Sequence, residues 1–311
     1  MRRLRLFFEL IRFEHSIFAL PFALIAAMLS QLWMNARGAT VAVPLSLPAL
    51  SAPLLQTSRG PIFPPAWTLA FIVIAMVSGR TLAMLANRLV DAAIDAKNPR
   101  TADWHLPRGV VSPHKALVWL AITAIVFLLS ALALNLWCFL LAPLAAAYLI
   151  LYPYAKRYTI WCHYVLGGAQ AIAPIAVFLA VTGTMSWRIF PLAAAVGLWV
   201  GSFDVYYALQ DYEFDRAEGL RSLPVAFGKE RAKFLAMFVH LVSSALLIWT
   251  GFIFSLGAIF FTGTLVFTLV LIAEYFIVRL REDLTGFAFF TLNGILSLLY
   301  FGVALWAVAA G

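Results

Sequence analysis

The chain alternates between long uncharged apolar runs and short segments that carry almost all of its charge. Each run is long enough for the roughly 20 residues with which an α-helix crosses a bilayer. The runs predict nine helices, over 15–34, 66–88, 115–135, 137–154, 161–182, 187–210, 232–254, 257–279 and 287–309. The short alternating segments of a membrane β-barrel are not part of the pattern. The expected fold class is all-α: a polytopic transmembrane helical bundle of about nine spans, forming a single domain over 1–311. Between the first two spans, 35–65 carries prolines at 44, 48, 53, 61, 64 and 65 and is too broken for another span. It is expected to be an external loop.

Composition supports this class. The 311 residues are 64% hydrophobic and 12% charged, whereas a soluble domain would be about a quarter charged. The basic segment Met1 to Arg12 leads straight into a full-length span without a small-residue cleavage site, so no cleavable signal peptide is expected. Cys138 and Cys162 fall at opposite membrane faces in this topology, so no disulfide between them is expected, and neither has metal-site spacing.

The net charge of +8 does not indicate nucleic acid, because the basic residues cluster between spans. That clustering is a topology signal. With the N-terminus inside, nearly all Lys and Arg from Arg2 to Arg281 fall on the inner side. Only Arg37, Arg59 and Arg188 fall outside, and Arg80 lies within a span. The expected location is the cell inner (plasma) membrane, with a cytoplasmic N-terminus and an external C-terminus. Trp33, Trp67, Trp137, Trp187 and Trp306 fall near outer span ends, as interfacial anchors do.

All the acidic residues fall in the inner half, and two clusters stand out. Asn87, Asp91 and Asp95, in NRLVDAAID, are spaced i, i+4, i+8 and share one helical face. Asp204, Asp211 and Asp215, in SFDVYYALQDYEFD, are offset by 7 and 11 and again share a face. Asp204 stands about 10 Å along the axis from Asp211, at membrane depth. A carboxylate at a helix centre costs about 2.5–3.5 kcal/mol. Two of them about 6 Å apart repel by roughly 3 kcal/mol at an effective dielectric of 20. Compensating cations are needed, and Mg²⁺ suits oxygen ligands shared with substrate phosphates. The competing reading is that these acids pair with loop Lys and Arg on a solvated surface. The clusters lie about 120 residues apart, each closing a helix pair, which suggests two pseudo-repeated halves around a central cavity.

The segments 89–114 and 211–231 are expected to be cytoplasmic active-site loops. Lys97, Arg100 and Arg108 lie in KNPRTADWHLPRG, Tyr152, Lys156 and Arg157 in YPYAKRYT, and Arg221 beyond the second acidic cluster. Such donors suit the free oxygens of a diphosphate; topology alone also accounts for basic loops.

These segments, in order, resemble the UbiA-type intramembrane prenyltransferases. NRLVDAAID is similar to that family's N-D-x-x-D-x-x-x-D motif and DYEFD to its second D-x-x-x-D. PRTADWHLPRG, YPYAKRYT and GLRSLPVAFG resemble the family's intervening and following segments. Arg88 stands where the family usually has Asp, which removes one ligand, and Trp104-His105 replaces the usual Arg-Pro. FEHSIFALPFAL, HLPRG and YALQDYEFDR look most like the bacterial 4-hydroxybenzoate polyprenyltransferase-like branch.

The resemblance implies Mg²⁺-dependent transfer of a polyprenyl chain from polyprenyl diphosphate to an aromatic acid acceptor of ubiquinone or menaquinone synthesis. It implies one Mg²⁺ on Asn87, Asp91 and Asp95 and another on Asp211 and Asp215. Tyr152 and Lys156 would contact the diphosphate, supported by Arg157, Arg221 and Arg100. Asp204 is open to two readings, positioning of the acceptor or proton transfer on one hand and a buried interhelical hydrogen bond on the other. His15 is a candidate for the acceptor's acid group or a structural interfacial residue. Alternatives are another acceptor, a different Mg²⁺-dependent lipid-interface transferase, and a cation-coupled transporter. A CDP-alcohol phosphotransferase would need an Asp-Gly-x-x-Ala-Arg start, which is missing. A transporter would place its ionisable groups at the midplane of broken helices.

Overall fold

The computed structural model describes Phe7, Leu10, 19–38 and 60–310. Within these residues the long helices are α1 Ala19–Ala36, α2 Ala66–Asp95, α3 Pro113–Leu134, α4 Leu136–Leu151 and α5 Cys162–Thr182, then α6 Phe190–Ala208, α7 Lys229–Ile253, α8 Ala258–Leu280 and α9 Asn293–Ala310. Eight helical stretches are long and apolar enough to cross a membrane, and α1 is apolar but shorter over its described part. The protein is a multi-pass membrane protein. Exposed apolar side chains such as Leu129, Leu144, Phe238, Leu265 and Leu299 cover its outer surface. His15 and most of the expected external loop lie outside the described residues.

α6 is the central helix. Between Pro191 and Tyr206 only Ala194, Leu198 and Asp204 are not buried. It packs most extensively on α5 and α7. A Cβ on Gly167 would overlap the carbonyl oxygen of Gly197, so the α5 and α6 backbones touch. This is the small-residue approach by which helices associate without a hydrophobic driving force.

Several boundaries differ from expectation. α2 continues seven residues past Arg88 to Asp95, so the first part of the expected 89–114 loop is helical. Its sequence holds no breaker before Pro99, and a proline disfavours helix in the residue before it. The expected loop 211–231 likewise contains the short helices Tyr212–Ala217 and Leu223–Phe227, and α7 begins at Lys229. α4 stops at Leu151, where Pro153 tightens the chain into a 3₁₀ turn, Tyr152–Tyr154.

Glu274, six residues from the end of α8, is fully buried between helices. Its Oε1 accepts from Asn293 Nδ2 at 2.6 Å, and Asn293 Oδ1 accepts from Trp199 Nε1 at 3.0 Å. The chain thereby ties α8 and α9 to the central helix. Cys138 and Cys162 are both free thiols.

Candidate active site

A cavity of about 510 Å³ is lined from α2, α3, α4, α5 and α6 and from the turns that follow α2, α4 and α6. Asn87, Asp91 and Asp95 line it from α2; Asp204, Asp211 and Asp215 line it from α6 and the segment beyond. The two clusters therefore face one space. The second cluster does not lie on one straight helix, because a 3₁₀ turn, Leu209–Asp211, interrupts it.

Each cluster meets cations from another part of the chain. Asp91 lies 2.9 Å from Lys156 Nζ and 3.1 Å from Arg157 Nη1, and accepts from Asn87 Nδ2 at 3.1 Å. Both cations follow α4, where the 3₁₀ turn at Pro153 swings them back over α2. Asp211 accepts from Arg100 Nε at 2.8 Å and Nη2 at 2.5 Å, and from Asn98 Nδ2 at 2.8 Å. Arg100 Nη1 also donates to Tyr207 Oη at 2.8 Å. Burial works to lower the Arg100 pKa, but the hydrogen bonds and charge of Asp211 and Tyr207 carry it above its usual value, so it stays a cation.

Tyr152, Lys156 and Arg100 line the cavity. Arg157 stands behind Asp91, with Nη2 donating to Val90 O at 2.9 Å. Arg221 departs from its expected place among the diphosphate donors. It is exposed, its Nη1 donates to Tyr158 O at 2.8 Å, and its backbone N donates to Lys156 O at 2.7 Å. It fastens the loop after α4 to the loop after α6.

Several lining residues escape sequence reasoning. Arg88, noted only as a lost acid, is buried, stacks on Trp104 at 3.6 Å and lies 3.9 Å from Asp95. Asn98, Tyr207 and His163 also line the cavity, and His163 Nδ1 lies 2.8 Å from Asp204 Oδ2. The available signal was Arg80 and Arg88 themselves, since ionisable residues at membrane depth point inward to partners or cavities.

From the acids the cavity runs into an apolar shaft. Met76, Phe127, Ala142, Ile172 and Ala176 line its middle, and Ile72, Leu134, Cys138 and Met185 its far end. From Asp91 to Ile72 is 19 positions of α2, about 28 Å at 1.5 Å per residue.

Among the described residues no three His, Cys, Asp or Glu side chains already form a metal cage. The donor chemistry nevertheless fits Mg²⁺. Every acid on the cavity offers oxygen, and Asp91 Oδ1, though near Arg157, accepts no aligned hydrogen bond. An ion that takes one or two carboxylates and completes its shell with substrate phosphates needs no preformed cage.

A greasy shaft closed at one end by interleaved acids and bases is a receptacle for an amphiphile with a polyanionic head, which places the protein among intramembrane lipid-processing enzymes. Comparison narrows that class, because residues 45–301 match the UbiA prenyltransferase family. The chain belongs to that family and is a prenyltransferase. It is 32% identical over 242 residues to a 4-hydroxybenzoate octaprenyltransferase of Pseudomonas putida (strain W619), covering 76% of this chain and 81% of that protein. A protein of the same name from Cronobacter sakazakii is 30% identical over 246 residues, 79% and 84% of the two chains. Among solved structures, an apo UbiA homologue from Aeropyrum pernix K1 superposes with a TM-score of 0.76 at 29% identity, covering 94% of this chain and 97% of that one. A UbiA homologue from Archaeoglobus fulgidus bound to GPP and Mg²⁺ shares the fold, with a TM-score of 0.63 at 18% identity over 98% and 99% of the chains.

Proposed function

We propose that this prenyltransferase moves a polyprenyl chain from polyprenyl diphosphate to an aromatic quinone precursor, of the 4-hydroxybenzoate or dihydroxynaphthoate type, in ubiquinone or menaquinone synthesis. The observation that carries the reading is the meeting of both carboxylate clusters, their cations and a long apolar shaft in one cavity. The names of the relatives support an aromatic acid acceptor.

In this reading Asn87, Asp91 and Asp95 hold one Mg²⁺ and Asp211 and Asp215 another. Bound there, the ions would screen the diphosphate's charge and stabilise it as a leaving group. Lys156, Arg100 and the Tyr152 hydroxyl donate to the remaining diphosphate oxygens, which gain negative charge as the allylic C–O bond breaks. Arg157 orients Asp91 from behind. The shaft shields the prenyl tail from water, which would otherwise quench the allylic cation before the electron-rich ring carbon captures it; that carbon then loses its proton to a base, which restores the aromatic ring.

The acidic end of the bundle faces the cytoplasm, in keeping with the one-sided distribution of Lys and Arg along the chain. Purified protein given Mg²⁺, a set of polyprenyl diphosphates and either 4-hydroxybenzoate or 1,4-dihydroxy-6-naphthoate tests the reading. A prenylated aromatic product, identified by mass, is expected; absence of product with every pair overturns it.

A further inference from the structure

The close approach of α5 and α6 has a chemical consequence at its acidic end. Besides the Gly167–Gly197 contact, a Cβ on Gly201 would run into the Tyr164 ring, so the two helices are locked in register. That register sets His163, at the start of α5, against Asp204 on α6. The His163 side chain is only 6% exposed, with Nδ1 2.8 Å from Asp204 Oδ2. The Asp204 carboxylate accepts a hydrogen bond from Nδ1–H, which leaves Nε2 as the ring nitrogen open to another group. Nε2 is buried and has no hydrogen-bond partner. Leaving such an atom unsatisfied costs about 1–3 kcal/mol, and native proteins retain few of them without a reason.

His163 and Asp204 both line the cavity, with Leu166, Gln170, Phe203 and Tyr207 nearby on the same helices. Asp204 lies about 10 Å from Asp211 along the helix direction. The pair therefore sits between the acids assigned to the diphosphate and the apolar shaft, beside the point where the allylic bond must break. Neither residue is needed to hold Mg²⁺ or to pair with Lys156, Arg157 or Arg100.

We propose that His163, oriented by Asp204, binds the ring hydroxyl of the aromatic acceptor through Nε2. The proposal rests on the prenyl-transfer reading and names the group that recognises its second substrate. A hydroxyl suits the site better than the acceptor's carboxylate, because a carboxylate can only accept and so needs a proton on Nε2, whereas a hydroxyl can donate to a bare Nε2 or accept from a protonated one. Holding the ring by its hydroxyl fixes which ring carbon faces the prenyl group. Asp204 is then a positioning residue that sets the imidazole's tautomer and angle.

A polar clasp that merely joined α5 to α6 would affect both substrates alike. Initial rates with purified wild type, His163→Leu, His163→Gln and Asp204→Asn, varied over geranyl diphosphate and over 4-hydroxybenzoate or 1,4-dihydroxy-6-naphthoate, separate the two cases. For His163→Leu the acceptor KM is expected to rise about tenfold or more with the geranyl diphosphate KM unchanged. His163→Gln, which keeps a donor and an acceptor, should recover most of that loss. If His163→Leu does not fold in detergent, Asp204→Asn carries the same test through a rise in acceptor KM alone. An unchanged acceptor KM, or an equal rise for both substrates, overturns the assignment. A wild-type protein inactive on both acceptors overturns the prenyl-transfer reading itself, and this inference with it.

Discussion

Arg100 and Asp211 are 111 positions apart in the chain, yet their side chains form a two-point pair, Nε–Oδ1 at 2.8 Å and Nη2–Oδ2 at 2.5 Å. The loop after α2 thus reaches across the cavity to the second acidic cluster, and Lys97 reinforces the crossing by bonding Glu218 at 2.6 Å. Arg100→Lys keeps the charge but loses the planar fork. We expect kcat/KM for the prenyl diphosphate to fall about 10- to 100-fold, the equivalent of one charged hydrogen bond. Steady-state kinetics on the purified variant check this.

The metal assignment predicts that EDTA abolishes turnover and that added Mg²⁺ restores it. Asp215→Asn should raise the Mg²⁺ concentration needed for half-maximal rate and reduce the maximal rate by at least about 100-fold. Asp91→Asn should do the same. Asp91→Ala is a poorer probe, because its side chain is only 4% exposed and two cations pair with it. Removing one partner of a buried pair costs about 3–5 kcal/mol of stability. Near-wild-type activity in either Asn variant would defeat the assignment.

The shaft sets a length. A fully extended chain gains about 1.2 Å per bond, so an isoprene unit of four chain bonds covers about 5 Å, and the about 28 Å from Asp91 to Ile72, part of which the diphosphate takes, holds fewer than six units. Ala142 and Ala176 both line the middle of it. Ala142→Phe or Ala176→Phe should leave geranyl transfer within about threefold of wild type while reducing octaprenyl transfer more than tenfold. Product masses from a mixed set of donors report this directly; equal loss for short and long donors would show that the tail lies elsewhere.

Asn293 links Glu274 to Trp199 in the fully buried core between α6, α8 and α9. Asn293→Leu strands both partners and should cost about 2–4 kcal/mol, since each buried polar group left unpaired costs about 1–3 kcal/mol. Glu274→Gln preserves an oxygen for Asn293 and should change stability by less than about 1 kcal/mol. Thermal unfolding in detergent measures both. The opposite order would mean that the Glu274 charge, and not its hydrogen bond, maintains the cluster.

Much of the architecture is local in origin and could be read from the chain. Apolar runs set the spans, because crossing a bilayer is a property of each segment on its own. The alignment of Asn87, Asp91 and Asp95 was legible too, since the helical repeat puts every fourth residue on one face. The extension of α2 to Asp95 went unread, although the chain holds no helix breaker between Arg88 and Pro99.

What the sequence could not determine is which distant groups meet, because that depends on helix depth, crossing and loop reach together. Arg100 and Arg221 are both loop arginines, but one turns into the cavity onto Asp211 and the other outward onto Tyr158. Arg88 looked like a missing ligand and becomes a buried cation between Trp104 and Asp95. Glu274 is one acidic residue in an apolar run of the sequence and a hydrogen-bonded core residue in the bundle. His163 acquires its partner only because Gly167 and Gly197 let two backbones touch, a contact that no periodicity along either helix encodes.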